Sequence, residues 1–455
     1  MAFLNGFAVD FAPRLISLSP EAGEKYVGFQ YFEIRRFLKI RSDRCCSRNK
    51  LQKQQSEVNM THRDLGRGFK LWVAVVAFFV SLASRENGWA QENVEESWQF
   101  QAELLQPFWK GDQVLGETVL FIRDEDQKIS RGHVLFPIDR ILRVTSSDGK
   151  VTYEEGRDFV FKKDSRELIL PEGSRVISRF ASDLRVPAKT QKYELTHRDG
   201  NGEILFGAKL EYHHMQTSIS YVASSKDWPI SQESLNSPSL PKTHERLAQG
   251  KPLSIVVLGD SISTGCNASA WGKGAPFQPA YQDLVHLQLQ DWYSSPIQLS
   301  NLSVSGTTSG WGLSQVDRVI ELRPNLVVLA FGMNDSAGVS PSDYSKNIAS
   351  IIQKVRETDL DCEFILIATM LGNRDWIRLK HESFPRFRDH LKQLTESGVA
   401  LADLTTVWDE MLKRKKDWDL TGNGVNHPND FGHRVYAQVI LELLSSEKSG
   451  TNLPH

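Results

Sequence analysis

The stretch Gly259-Asp260-Ser261-Ile262-Ser263 directly follows the apolar run LSIVVLG at 253–259. A serine placed after a buried strand and before a turn can point its hydroxyl into a cleft and act as a nucleophile. The pattern is not Gly-x-Ser-x-Gly, because Ser263 stands in place of the second glycine. The competing account is that Asp260 or Ser261 caps the segment that follows. A second run ends in Ser303-Val304-Ser305-Gly306-Thr307-Thr308. There Gly306 could offer a backbone N–H to an oxyanion, or it could simply turn the chain. A third ends in Gly332-Met333-Asn334-Asp335. The Asn334 amide could be another oxyanion donor, and the alternative is an Asx turn.

The fourth stretch is GNGVNHPNDFGH, residues 422–433. It sets His427 in a Gly/Asn-rich turn before a proline, where a ring can be held over a cleft as a general base. His286, His381 and His390 fall in helical patterns and read as surface residues, and His433 falls on the last helix. Together the four stretches supply what acyl transfer needs. Ser261 attacks a carbonyl, His427 moves the proton, and the Ser261 and Gly306 amides with Asn334 stabilise the oxyanion.

The elements that must position these residues alternate from residue 252 onward. LSIVVLG (253–259), IQLSNLSV (297–304), NLVVLAFG (325–332), EFILIATM (363–370) and VALADL (399–404) are short apolar runs. Helical patterns lie between them, near 280–293, 312–322, 340–357 and 384–397, and a last one covers about 430–446. This alternation predicts a parallel sheet covered on both faces, with sites beyond the carboxyl ends of its strands. From about 92 to 226 the pattern is instead one of short β-branched and aromatic runs separated by turn signals. They include ETVLFIRDE (117–125), HVLFPIDRILRV (133–144) and AKLEYHHMQTSISYVA (208–223). This predicts a β-sandwich or jelly roll over 92–226. Residues 227–251 read as a linker that could be partly helical.

The set GDSIS, Gly306, GMND and the His-Pro turn resembles the SGNH hydrolase superfamily, the GDS-type lipases and esterases. The resemblance covers about 252–446. It implies a flavodoxin-like three-layer α/β/α fold and a serine-esterase mechanism. By position it makes Ser261 the nucleophile, Gly306 and Asn334 oxyanion residues and His427 the base. The departure is at the acid. The family often has Asp three residues before the histidine, and here that position is Gly424. Three options follow: Asn423 or a backbone carbonyl orients His427, Asp419 folds back to it, or the enzyme is weak or inactive. The order of the regions, β-rich then SGNH-like, resembles carbohydrate esterases that remove acetyl groups. In the loop TGCNASAWGKGAPFQPA (264–280), Trp271 and Phe277 could wall the site for a sugar ring or serve ordinary loop packing. The expected partner is thus an ester, an acetylated glycan in particular. A lipase, thioesterase or lysophospholipase is the second reading, and a non-catalytic glycan-binding protein the third.

Bulk properties fit a secreted protein of this kind. The net charge is -2, which gives no sign of a nucleic-acid partner. Residues 1–90 carry 14 Lys/Arg against 8 Asp/Glu, a net of +6, which leaves -8 for residues 91–455. Residues 71–83, LWVAVVAFFVSLA, are preceded by Arg63, Arg67 and Lys70 and followed by Gly88-Trp89-Ala90. This is the pattern of a signal peptide over 60–90. It predicts secretion or export to a periplasm, the alternative being a membrane anchor. Residues 1–59 then read as a leader or a misassigned start. Of the four cysteines, Cys266 and Cys362 follow this segment; two make no disulfide framework, a single bridge between them being the alternative. No Cys/His spacing suggests zinc, His213-His214 being a weak pair read as strand surface, and no cofactor is expected.

Overall fold

Four of the five apolar runs from residue 252 onward become strands buried on both faces, and the fifth, at 297–301, is a partly exposed edge strand. The computed structural model describes residues 98–123, 125–126, 129–230 and 240–445. The expected leader (1–59) and signal peptide (60–90) lie outside the described residues, as do 231–239 of the linker. Residues 92–455 form one compact unit.

In the β-rich region, β1 (Gln113–Val119), β10 (Thr217–Ala223) and β4 (Ile138–Ser146) make a three-stranded antiparallel sheet in the order β1-β10-β4. A five-stranded sheet runs β5-β6-β3-β2-β7, built from Val160–Phe161, Glu167–Leu170, Ser130–His133, Phe121–Arg123 and Ser178–Phe180. It is mixed, because β2 pairs in parallel with β7. A small ladder joins β8 (Arg185–Val186) to β9 (Glu203–Ile204). The region is therefore β-rich as expected. The run 208–223 differs: it is not one strand but a short helix, Glu211–Met215, followed by β10. Tyr212 and Met215, three apart, share a helix face and pack with Leu120 and Leu184. His213 is buried there rather than on a strand surface, with its Nε2 at 2.8 Å from the Ala275 carbonyl.

The second sheet is all parallel, in the order β12-β11-β13-β14-β15. Its strands are Ile297–Asn301, Leu253–Gly259, Leu326–Ala330, Glu363–Ala368 and Val399–Asp403. This is the flavodoxin-like order, in which the chain reverses direction around β11. Side chains alternate across the sheet. Ile255 and Val257 join one core with the last helix, Asp430–Leu444, while Val256 and Leu258 join another with the helix Pro341–Thr358. β12 stops at Asn301, short of the expected 304. The Asn301 side chain accepts from Ser303 N–H and donates to the Ser263 carbonyl, which turns the chain out of the strand. The helix expected near 312–322 is two, Ser309–Ser314 and Val316–Glu321. Within 227–251, Pro241–Ala248 is a helix with proline in its first turn.

The β-rich region and the parallel sheet share one core. Val119, Phe136 and Tyr221 lie in the same apolar cluster as Phe431, Val435 and Ile440. Polar groups cross the same boundary. Lys415 Nζ meets Glu117 Oε1 at 2.6 Å with both side chains fully buried. Leu135 N–H and Tyr221 O–H also donate to Glu117. Burial pushes the Glu117 carboxyl up, and Lys415 draws it partly back. Arg434, on the last helix, donates to the Leu115 and Gly116 carbonyls. Among the described residues no helix is long and apolar enough to cross a membrane.

Candidate active site

The first strand of the parallel sheet delivers Ser261 through a tight turn. Gly259 is required there, because a Cβ would strike the Ala330 carbonyl and the Ser263 hydroxyl at 2.6 Å. Asp260 is buried and accepts from Ile262 N–H at 3.0 Å, and burial pushes its carboxyl up to about 7. Ser263, in the place of the elbow glycine, turns inward to the Tyr281 hydroxyl at 2.7 Å. Ser261 is left facing the cleft.

His427 Nε2 lies 2.9 Å from Ser261 Oγ. The loop that carries it is shaped by Asn423, whose Oδ1 accepts from the backbone N–H groups of Val425, Asn426 and His427. A bridge between Thr421 and Pro428 and the bond from Gly422 N–H to the His427 carbonyl close the turn. The Asn429 side chain caps the last helix by accepting from Gly432 N–H. Loss of surrounding water pushes the His427 ring down to about 3, and the neighbouring His433 adds to the effect. The ring is therefore neutral near pH 7, the state a general base needs.

The expected oxyanion residues line the same cleft as Ser261 and His427. Gly306 has φ +81, a conformation that favours glycine. Among the described residues, neither the Ser261 nor the Gly306 N–H has a hydrogen-bond partner. Asn334 Nδ2 donates to the Thr307 carbonyl at 2.9 Å, which fixes the amide and leaves its second N–H available. Sequence reasoning passed over the support beneath it. Asp335 is buried and accepts from Ser309 N–H, Ser309 O–H and Gly332 N–H, tying the end of β13 to the helix Ser309–Ser314.

Neither residue named as a candidate to orient the histidine reaches its ring. Asp419 accepts from Leu120 N–H and Lys416 N–H, so its carboxylate ties the loop to the β-rich region. The Asn423 side chain is spent on the backbone turn and on Asn426. The partner of His427 Nδ1 is Asn267, whose Oδ1 is 2.8 Å away. Asn267 lies six residues after Ser261, in the loop 264–280, with φ +65. Ser269 N–H pins that loop to the Asp430 carboxylate, and Gln278 Nε2 pins it to the Asp430 carbonyl.

The cleft measures about 860 Å³. Trp271 forms part of its wall, but Phe277 does not. The β-rich region contributes Tyr193 and Phe206, which meet edge to face, and Trp376 closes another side. Trp271 and Tyr193 remain 41% and 46% exposed, so their rings are open to a ligand. Cys266 also borders the cleft, and both Cys266 and Cys362 are free and buried. Among the described residues no group of His, Cys, Asp or Glu side chains is arranged to hold a metal.

Comparison with known proteins fits this geometry. Residues 257–435 match the GDSL-like Lipase/Acylhydrolase family. A search of curated proteins finds no match. Among solved structures, the chain is similar to a two-domain esterase (CEX) active on acetylated mannans. That match has 21% identity and a TM-score of 0.37, and covers 47% of this chain and 55% of the esterase. The chain thus spans about half the length of that protein. It is also similar to TesA, with 21% identity and a TM-score of 0.32 over 42% of this chain and 97% of TesA. A third is a single-substitution variant of Axe2, an acetyl xylan esterase from Geobacillus stearothermophilus, with 18% identity and a TM-score of 0.36 over 43% of this chain and 95% of that one. The family match spans Ser261, Gly306, Asn334 and His427. Over residues 257–435 the chain thus resembles the GDSL-like Lipase/Acylhydrolase family, and with it the SGNH hydrolases.

Proposed function

We propose that the protein is a secreted serine esterase that removes O-acetyl groups from carbohydrates through an acyl-enzyme intermediate. The observation that carries the esterase reading is the 2.9 Å contact between Ser261 Oγ and His427 Nε2 at the floor of an open cleft. His427 takes the Ser261 proton as Oγ attacks the ester carbonyl, and gives it to the leaving alcohol. The Ser261 and Gly306 N–H groups and the free Asn334 amide hydrogen hold the oxyanion. Water then attacks the acyl-serine, with His427 again as the base.

The carbohydrate reading is supported by the cleft walls. Exposed Trp271 and Tyr193 rings offer flat faces that suit sugar rings, and the space is wide and open rather than a narrow acyl tunnel. Secretion rests on the signal pattern at 60–90. The test compares acetate release from acetylated mannan and xylan with hydrolysis of short and long acyl esters, for the wild type and Ser261→Ala. Ser261-dependent release of acetate from the glycans is the expected result. Absence of Ser261-dependent turnover on every ester would overturn the esterase reading and favour a non-catalytic glycan-binding protein. Preference for long acyl chains would overturn the carbohydrate reading in favour of a lipase or thioesterase.

A further inference from the structure

We infer that Asn267 is the positioning residue for His427, and that the β-rich region makes it fit for that task. This deepens the esterase reading and rests on it. An asparagine beside a catalytic ring is ordinarily a poor substitute for aspartate. Its amide can rotate, present N–H₂ to the ring and impose the wrong tautomer, which in a serine triad costs about 10⁴ in rate.

Here the amide cannot rotate. Asn267 is buried, and the two N–H groups of its Nδ2 are shared among three carbonyls: Lys209 at 2.9 Å, Gly422 at 3.0 Å and Gly207 at 3.2 Å. Turning the amide over would place an oxygen against three oxygens and deprive these carbonyls of both amide N–H donors. Oδ1 is therefore fixed toward His427 Nδ1 as an acceptor. The ring must then carry its proton on Nδ1, and its Nε2 lone pair faces the Ser261 hydroxyl. This is the tautomer that can take the serine proton.

Two of the three carbonyls belong to the β-rich region, so that region acts on the ring through Asn267. Gly207 N–H also donates to the Asn423 carbonyl, which fastens the same segment to the histidine loop. A Cβ on Gly207 would meet the Tyr212 ring at 2.8 Å and the Gly422 carbonyl at 2.9 Å. The close approach of 207 to the histidine loop thus depends on glycine.

The same lock predicts that aspartate is a worse residue at 267. Its second oxygen would face the three carbonyls that now accept from Nδ2, and the lost amide donors would not be replaced.

The test uses the full chain. In the wild type labelled with ¹⁵N-histidine, the His427 signals should report a proton on Nδ1 and a bare Nε2 at pH 7. Asn267→Ala should lower kcat by about 10²–10⁴ with little change in KM, and should let the ring populate the other tautomer. Asn267→Asp should restore less than half of the lost rate and should raise the acid limb of the kcat/KM profile, because a carboxylate favours the imidazolium. A proton on Nε2 in the wild type would overturn the inference, even if no variant folded. So would an Asn267→Ala enzyme with wild-type kcat, or an Asn267→Asp enzyme as active as the wild type. Each of these leaves the esterase reading intact, since that reading stands or falls on Ser261-dependent turnover by the wild type.

Discussion

The Tyr212 hydroxyl occupies the space into which a Cβ at Gly424 would project. Gly424 has φ +76, and Tyr212 is buried and donates to the Leu205 carbonyl at 3.0 Å. In the family the chain resembles, this is the position that often holds the acid. Here a tyrosine from the β-rich region fills the room that an aspartate side chain would need. The glycine at 424 and the packing of the β-rich region are thus linked through Tyr212. Gly424→Asp should therefore not restore a stronger enzyme. It should cost about 1–3 kcal/mol from overpacking and the left-handed backbone, read as a lower denaturation midpoint, with no gain in kcat. A rise in kcat at unchanged stability would contradict this account.

Asn334 is held by one of its two amide hydrogens, so the other is positioned at no further entropic cost when charge develops on the substrate oxygen. Asn334→Ala should lower kcat by roughly 10²–10³ and leave KM within a few-fold, because the bond strengthens only in the transition state. Steady-state kinetics on a soluble acetyl ester separates the two parameters. An effect confined to KM would assign Asn334 to ground-state binding instead.

The residues at strand ends were legible in the sequence because a strand fixes both where it stops and which edge it faces. Ser261, Gly306 and Asn334 each follow an apolar run, and the parallel register sets Val257 beside Val328 so that the ends converge. His427 was legible from its turn. Asn267 was not: it sits in an irregular loop, and its partners lie about 60 residues earlier and 155 residues later in the chain. No periodicity connects such positions. Asn423 and Asp419 were plausible by proximity along the chain, yet local turn geometry spends one on backbone N–H groups and a neighbouring strand end takes the other. The helix at Glu211–Met215 was hidden inside an apolar run of strand-like composition, where the Tyr212–Met215 spacing was the only signal.

His427 should stay neutral well below the ordinary histidine pKa. Its folded value is pushed down from 6.5 to about 3 by burial, with His433 adding. The unfolded chain takes up this proton below 6.5 and the folded chain does not, so the ring's contribution to stability is whole above 6.5 and is lost as pH falls toward 3. Asp260 runs the other way. Its folded value is raised to about 7 against 3.8, so its contribution is whole below 3.8 and is lost as pH rises through 7. Between pH 4 and 6.5 the two offset one another, and stability should vary little on their account. The ¹⁵N shifts of His427 should accordingly show no titration between pH 8 and 5. A midpoint near 6.5 would mean that the ring is hydrated in solution.

The buried Glu117–Lys415 pair offers the sharpest test of whether the β-rich region is integral to the fold. Both side chains are fully buried, and they come from opposite sides of the shared core. Removing one partner strands the other charge away from water, which typically costs about 3–5 kcal/mol. Lys415→Met should therefore destabilise the protein by about that amount, as should Glu117→Gln to a lesser degree, since the amide still accepts from Leu135 N–H. Combining the two should recover much of the loss, because no unpaired charge then remains. A double-mutant cycle in urea measures the coupling directly. The same argument extends to truncation. A chain starting at residue 252 would leave Lys415 and Arg434 without the Glu117 carboxylate and the Leu115 and Gly116 carbonyls. It would also lose the Gly207 and Lys209 carbonyls that hold Asn267. Such a chain should fail to give a cooperative unfolding transition. A folded, active product would show that the parallel-sheet region is self-sufficient and that the shared core is dispensable.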